Sequence, residues 1–478
     1  LEPREQYGLD VLVAASRLLP VDPGSDATVQ VAVAADEPAP AAFEAWLTAS
    51  PPGFESHDGA VLVPRSMLRH VTALAGAGAE QRSSVRDRYG RVPAAEHLLV
   101  RAGRWREPVI TRTGRALRDA VIRVADRRPI RLVAPWPGGH RWAAAFTHDV
   151  DVVAWWPLFT ALRLLELARK GRIGGAAQTV IAAVRAAFRD PVGAGVTAIL
   201  ETEASRGVRS TWFFLCATPT LATVRAGDAT YHPESAAVER IVRRVDAGGH
   251  EIGLHGSFAT FEDPEAFARE RQRLEALVGR PVRGVRQHFL RMEPGVTQRG
   301  MRAAGFSYDA TFGFSDRGGY RLGVADAVPA WDEARGAAAP LVEVPLTWMD
   351  RALSKYQGVE DPRVWVDEAL DLARTCRDVE GLWVGLWHPN LTGPLGFPGA
   401  PAEYRRLVGA ITRDPSAPYV DAMGAIVEWC AARQGVRARS VAPDGRVDLR
   451  ARLRSVHPLV LEDERGRAVA TVAWPAVA

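Results

Sequence analysis

The sequence predicts an α/β protein: a distorted seven-stranded (β/α) barrel at residues 141–434, preceded by an α/β accessory domain at 1–140 and followed by a small β-rich appendage at 435–478. Three observations predict it. Seven short apolar runs recur through the middle of the chain, most of them separated by helical patterns, which is the rhythm of a parallel sheet or barrel. Asp149, Asp151, His255, His288, Asp309 and His388 all fall at or just after the end of such a run, and barrels of alternating strands and helices gather their chemistry at the carboxyl ends of the strands. The third observation is size and composition. At 478 residues, 47% hydrophobic and 24% charged, the chain is globular in make-up, with room for two to four units of about 100–200 residues. Collagen-like, coiled-coil and wholly disordered chains are excluded.

In order along the chain, residues 1–140 mix short apolar stretches (LDVLVAASRLLP, VQVAVAA, GAVLVPRSML) with Pro, Gly and Asp turns, the texture of short strands and helices. The seven runs follow: RWAAAFTHDVD (141–151), RSTWFFL (209–215), HEIGLH (250–255), GVRQHFL (284–290), FSYDATF (306–312), PLVEVPLTW (340–348) and LWVGLWH (382–388). Apolar spacing predicts helices at 264–279 and 362–379. Residues 161–190 are also helical in spacing and locally basic, with Arg163, Arg169, Lys170, Arg172, Arg185 and Arg189 against Glu166 and Asp190. A solvated helix face over a core is the expectation there, and a peripheral contact with an anionic membrane is the alternative. Four short strands are expected in the tail, with turns at Pro443-Asp444-Gly445 and Glu464-Arg465-Gly466.

The 60 basic and 56 acidic residues leave a formal charge of +4. Only Lys170 and Lys355 are lysine, which reads as the codon bias of a GC-rich genome. Arginine is spread along the chain and balanced by acid, whereas a nucleic-acid partner would need it clustered on one face. No nucleic acid is therefore expected. The apolar runs are shorter than the roughly 18–20 residues of a membrane span, so no transmembrane segment is expected either. Cys216, Cys376 and Cys430 are odd in number and lack zinc spacing, which argues for a reducing compartment. With no signal-peptide pattern at LEPREQYGLD, the expected location is cytoplasmic.

Four clusters carry the chemistry. In Thr147-His148-Asp149-Val150-Asp151, strand alternation puts Asp149 and Asp151 on one face and His148 on the other. Two carboxylates so close stay ionised only near a cation or strong donors. A metal on one, with the other free as a base, resolves the conflict. In GGHEIGLHGS, His250 and His255 face opposite ways; His255, at the strand end, joins the site and His250 is structural. Arg286 and His288 share a face, so Arg286 can orient a carboxylate through a bidentate pair while His288 serves as a ligand or a substrate contact. His388, in LWHPN, fits a general acid, its tautomer held by Asp309 or Asp350 from other strand ends. Among the 14 tryptophans, Trp155 and Trp156, just after the Asp pair, and Trp387, beside His388, are the expected sugar-stacking contacts.

In this order the runs resemble the polysaccharide deacetylase superfamily (NodB homology, carbohydrate esterase family 4) over roughly residues 141–400. THDVD matches the paired-Asp motif, RSTWFFL the second strand, GHEIGLHGS the metal-histidine motif, GVRQHFLR the arginine motif and LWHP the final histidine motif. YDATFGF, EVPLTWMD and the earlier DRYGRVP look like a subgroup whose first motif reads THDVD. The resemblance implies a distorted (β/α) barrel that removes N- or O-acetyl groups from a sugar or glycan precursor. Its cofactor would be a divalent metal, zinc first, with cobalt, nickel or manganese as alternatives. Carried over, Asp149 is the base, Asp151 and His255 are metal ligands, Arg286 orients Asp149 and His388 is the acid. One departure stands out. The family usually has a second metal histidine four residues after the first, and here that position is Ala259. His288 is the expected replacement; His148 is the alternative, disfavoured because alternation turns it away. An amide hydrolase acting on a non-sugar C–N bond and a non-catalytic glycan-binding protein are the competing readings.

Overall fold

The computed structural model describes residues 1–22, 29–34, 46–47, 53–126, 128–154, 156–186, 189–441 and 447–474. A ten-stranded sheet organises it. We number its strands β1 (Ala143–Val150), β2 (Thr211–Leu215), β3 (Glu251–Gly256), β4 (Gly284–Gln287), β5 (Tyr308–Asp309), β6 (Val328–Asp332), β7 (Ala337–Glu343), β8 (Trp348–Met349), β9 (Leu382–Leu386) and β10 (Tyr419–Val420). The spatial order is β6-β7-β5-β4-β3-β2-β1-β9-β8, with β10 beside the start of β1. Every pairing is parallel except β6 with β7. All eight residues of β1 are buried, as a central strand covered on both faces requires.

The count of seven strands is corrected by this sheet. Val328–Asp332 and Tyr419–Val420 are additional, and the run expected as one strand at 340–348 divides into β7 and β8. Pro345 lies at the break and has no N–H to give a ladder. The division is informative, because β7 pairs with β5 and β8 with β9, at opposite ends of the sheet. Only residues 344–347 join them, a span of at most about 17 Å. The sheet must therefore curl until its ends nearly meet. Across the gap, Val344 N donates to Asp309 O and Leu346 N to Phe312 O on one side, while Thr347 N donates to Val384 O on the other.

The expected outer helices form at Pro264–Val278 and Pro362–Asp378. Each starts with proline behind an aspartate, Asp263 or Asp361, whose side chain accepts a first-turn N–H. The basic segment is different. It forms two helices, Trp156–Arg169 and Ile173–Arg185, that bury only Thr160, Leu167 and Thr179. The solvated face over a core is there in part, with Trp156 and Phe159 packed on the core, but much of the remaining apolar face is also in solvent.

Amino-terminal helices Pro3–Ser16, Arg65–Ala75 and Val109–Ala125 pack together, and one apolar core runs from Leu12, Leu68 and Leu117 into the barrel strands. Leu132–Val133 pairs with Leu459–Glu462, which pairs with Ala468–Val472 around the turn at Glu464–Gly466, so the tail shares a small sheet with the segment that leads into β1. Arg437–Val441 pairs with Val447–Arg450. The expected turn at Pro443-Asp444-Gly445 lies outside the described residues. No helix among the described residues is long and apolar enough to cross a membrane.

Candidate metal centre and active site

The carboxyl end of β1 sets the site. Asp149 and Asp151 turn to one side; His148 turns to the other and is wholly buried there. Its Nδ1 lies 2.8 Å from Trp387 O and its Nε2 3.1 Å from Glu203 Oε1. His148 is therefore no alternative ligand. His250 sits in the same rear network, where Ser210 N donates to its Nδ1.

His255 comes from the end of β3, and His288 from the turn His288–Leu290 that ends β4. That turn is strained: Phe289 and Leu290 have φ of 58° and 53°, in the left-handed region that side chains rarely adopt. One ligand atom from each of Asp151, His255 and His288 lies within 4.8 Å of the others. His255 Nε2 is 3.4 Å and His288 Nε2 3.7 Å from Asp151 Oδ1. Each Nδ1 is already engaged, that of His255 at 2.9 Å from Arg286 O and that of His288 at 2.9 Å from Asp228 Oδ1. Those acceptors place a proton on Nδ1 of each ring and direct both Nε2 atoms at Asp151. Asp151 Oδ1 is buried and accepts no hydrogen bond. Burial alone would push this carboxyl up, but the surrounding His288, His255 and His388 outweigh it and hold it well below the ordinary range. One carboxylate oxygen and two imidazole nitrogens, with an orphaned buried acceptor among them, fit a divalent cation. Ala259 is exposed on the turn Phe258–Phe261, outside this triangle.

Arg286 Nη1 donates to Asp149 Oδ1 and to Thr147 Oγ1, both at 2.9 Å, and Nε donates to Ala310 O. The expected two-nitrogen fork onto Asp149 is thus a single-nitrogen contact, with the guanidinium resting on the Phe213 ring. His388 is held twice by Asp350: the backbone N–H donates to Oδ2 at 2.6 Å, and Nδ1 lies 2.7 Å from Oδ1. Its Nε2 is 3.6 Å from Asp151 Oδ2. Burial lowers the His388 pKa, but Asp350, then Asp151 and Asp149, raise it further, and the net direction is up.

Asp309 is not the partner of His388. It accepts from Thr311 N and Thr311 Oγ1 and sits against buried Glu343, and burial raises both carboxyls. Trp387 is corrected too. At 3% exposed, it packs against Trp348, Trp365 and Tyr404, because alternation sends it inward when His388 faces the cleft. Trp156 packs partly buried against the core, and Phe159, one turn later, lines the cleft instead. Trp155 lies outside the described residues.

No protein-family model matches this chain, and no curated protein matches it. Solved structures do. Two are described as polysaccharide deacetylases. One, from Mycobacterium smegmatis, is 24% identical over 62% of this chain and 92% of its own, with TM-score 0.40. The other, from Pseudomonas aeruginosa PAO1, is 17% identical over 64% and 95%, also at 0.40. An allantoinase, PuuE, is 16% identical over 60% and 90%, again at 0.40. Likeness at this level assigns no activity, so the chemistry has to come from the site.

The cleft over these groups measures 210 Å³. Larger cavities lie elsewhere, such as a 570 Å³ groove beside Pro3–Ser16, but they lack this convergence of base, acid and ligand groups. Arg351 and Lys355 line the cleft, from a turn that ends at Gln357. Arg91 donates to Phe289 O at 2.6 Å while gripping Asp87, and the Tyr89 ring stacks on Phe289 at 4.6 Å. The amino-terminal residues 87–93 thus border the site. Sequence reasoning missed Asp228, Arg351, Lys355 and the role of Arg91. Asp228 carries no signal, lying in a loop after no strand. The rarity of lysine could have singled out Lys355.

Proposed function

We propose that this chain is a metal-dependent hydrolase of the polysaccharide deacetylase superfamily, in the THDVD subgroup, removing an acetyl group from an amino or hydroxyl group of a sugar or glycan precursor. One observation carries the reading: around a single cleft stand a carboxylate held by arginine, a carboxylate–histidine–histidine ligand set, and a histidine held by a second carboxylate. Asp151, His255 and His288 would hold the metal, with zinc the first choice for this donor set. When bound, a divalent cation supplies Lewis acidity to the acyl carbonyl and to a water.

The protein's own groups supply the rest. Asp149, aimed by Arg286, takes a proton from the attacking water as oxygen bonds to the acyl carbon. His388, protonated on both nitrogens, gives its Nε2 proton to the leaving nitrogen or oxygen as the C–N or C–O bond breaks. Asp350 fixes its ring and favours the charged form. Acetate and the freed amine or alcohol then leave.

The test is acetate release from a panel of N- and O-acetylated sugars by zinc-loaded protein, with chelated protein and Asp149→Asn as controls. Release that depends on both is expected. Turnover of cyclic amides with none of sugars selects the non-sugar C–N reading. Sugar binding that survives Asp149→Asn, with no turnover in either protein, selects a non-catalytic glycan binder.

A further inference from the structure

Arg351 and Lys355 line the cleft, and neither has a hydrogen-bond or ion-pair partner among the described residues. The other cation of the lining does, Arg91 with Asp87, and so does Arg286, buried behind the cleft with Asp149. Instead the Lys355 ammonium lies 4.3 Å from the Phe289 ring centre, and the Arg351 guanidinium 5.1 Å from that of Phe397. Aromatic faces steady a cation without neutralising it. Both residues belong to one stretch, with Arg351 just ahead of the π-helical turn Ala352–Gln357, a geometry found often at functional sites. The Asp149 and Asp151 charges are already answered by Arg286 and, on the reading above, by a dication, so these two cations are not their counter-ions. Lys355 is moreover one of two lysines beside 58 arginines.

We propose that Arg351 and Lys355 form a subsite for an oxyanion, a carboxylate or phosphate, carried by the acylated sugar; this rests on the proposed function. Desolvation by the cleft groups and the neighbouring Arg351 push the Lys355 ammonium down to about 7, with Asp151 opposing, while the residue as a whole stays exposed and open to reagents. An anion in the subsite would restore full charge.

Having only two lysines makes a direct test available. Metal-loaded protein is labelled with an amine-acylating reagent, and Lys355 is read by mass spectrometry against Lys170, which is likewise exposed but lies outside the cleft. The probes are N-acetylglucosamine 1-phosphate, an N-acetylated uronic acid and neutral N-acetylglucosamine. We expect at least one anionic probe to slow Lys355 labelling about tenfold at saturation, and Arg351→Met to remove most of that protection. The arm that protects identifies the anion. No anionic protection, or equal protection by the neutral sugar, overturns the subsite. Acetate release from neutral sugars without anionic protection leaves the proposed function standing and sinks the subsite. Anionic protection without acetate release from any sugar does the reverse.

A separate observation carries a second inference. The helices Trp156–Arg169 and Ile173–Arg185 hold seven of the fifteen exposed large apolar residues described in the chain, including Leu162 (52%), Ile173 (79%) and Val184 (70%). With the turn between them they carry Arg163, Arg169, Lys170, Arg172 and Arg185 against one acid of their own, Glu166, which Arg163 and Lys170 share; Arg172 also pairs with Glu360, and Arg169 and Arg185 remain unanswered among the described residues. A second copy docking here would set like charges together. An anionic bilayer matches both the apolar rows and the charge. We infer that this hairpin lies on an anionic lipid surface. Co-sedimentation should show the protein on phosphatidylglycerol-containing vesicles about tenfold more than on phosphatidylcholine alone, and Ile173→Ser with Val184→Ser should release it. Equal partition onto both vesicles, no binding, or a solution dimer that the same double variant dissociates overturns the inference.

Discussion

Asp149 and Asp151 sit two residues apart on one strand face yet have different surroundings. Asp149 meets Arg286 at 2.9 Å and shares His255 at 3.6 Å, while Asp151 meets three imidazoles. Different partners give two like groups different tasks. Asp149→Asn should cut acetate release by about a thousandfold while leaving the metal content unchanged, measured by steady-state kinetics and elemental analysis. Asp228 acts one step back, holding His288 through Nδ1. Asp228→Asn should weaken metal affinity about 10–100-fold, read by chelator competition. His388 titrates above the ordinary histidine value because of Asp350. If it acts as the acid, as proposed, the basic limb of the rate profile should lie above the ordinary histidine range. Asp350→Asn should move that limb to lower pH, as a pH–rate profile would show.

Elements place these residues where strand geometry alone does not. β4 ends at Gln287, and the left-handed pair Phe289–Leu290 turns the chain so that His288 meets His255 and Asp151. Strain of this kind persists only when its surroundings hold it. Here Arg91 grips the Phe289 carbonyl and Tyr89 stacks on its ring, both from residues 87–93. Arg91→Ala should lower kcat/KM about tenfold with circular dichroism unchanged, and an unaltered kcat/KM would detach this segment from function. The ligand role of His288 could be put forward from the sequence because it shares a face with Arg286. The turn that delivers it could not, since it depends on an element some 200 residues upstream in the chain.

Over the whole molecule, residues 344–347 bridge the sheet ends and the amino-terminal segments lock onto the barrel's mouth. Buried Glu80 takes two hydrogen bonds from Arg321, which also reaches Gly313 O and Val92 O. Burial would raise the Glu80 pKa, but Arg321 and His97 outweigh it and hold it at about 2, against an ordinary 4.5. A depressed carboxyl stabilises the fold above its unfolded pKa and loses that contribution as pH falls through the folded one. The contribution is about 3 kcal/mol, fully present above about pH 4.5 and lost towards pH 2. Urea unfolding at about pH 6 and about pH 3 should show a smaller stability difference for Glu80→Gln than for the native chain.

By itself the sequence determined the alternation of strands and helices, the strand ends that carry Asp149, Asp151, His255 and His388, and the inward turn of His148. All follow from local periodicity, which neighbouring residues alone specify. Only the tertiary structure decided which carboxylate serves His388, why Trp387 belongs to the core, and that Asp228, Arg91, Arg351 and Lys355 border the site. These depend on segments distant in sequence meeting at one end of the sheet. They depend also on β7 and β8 parting at Pro345 to close it, which no local pattern encodes.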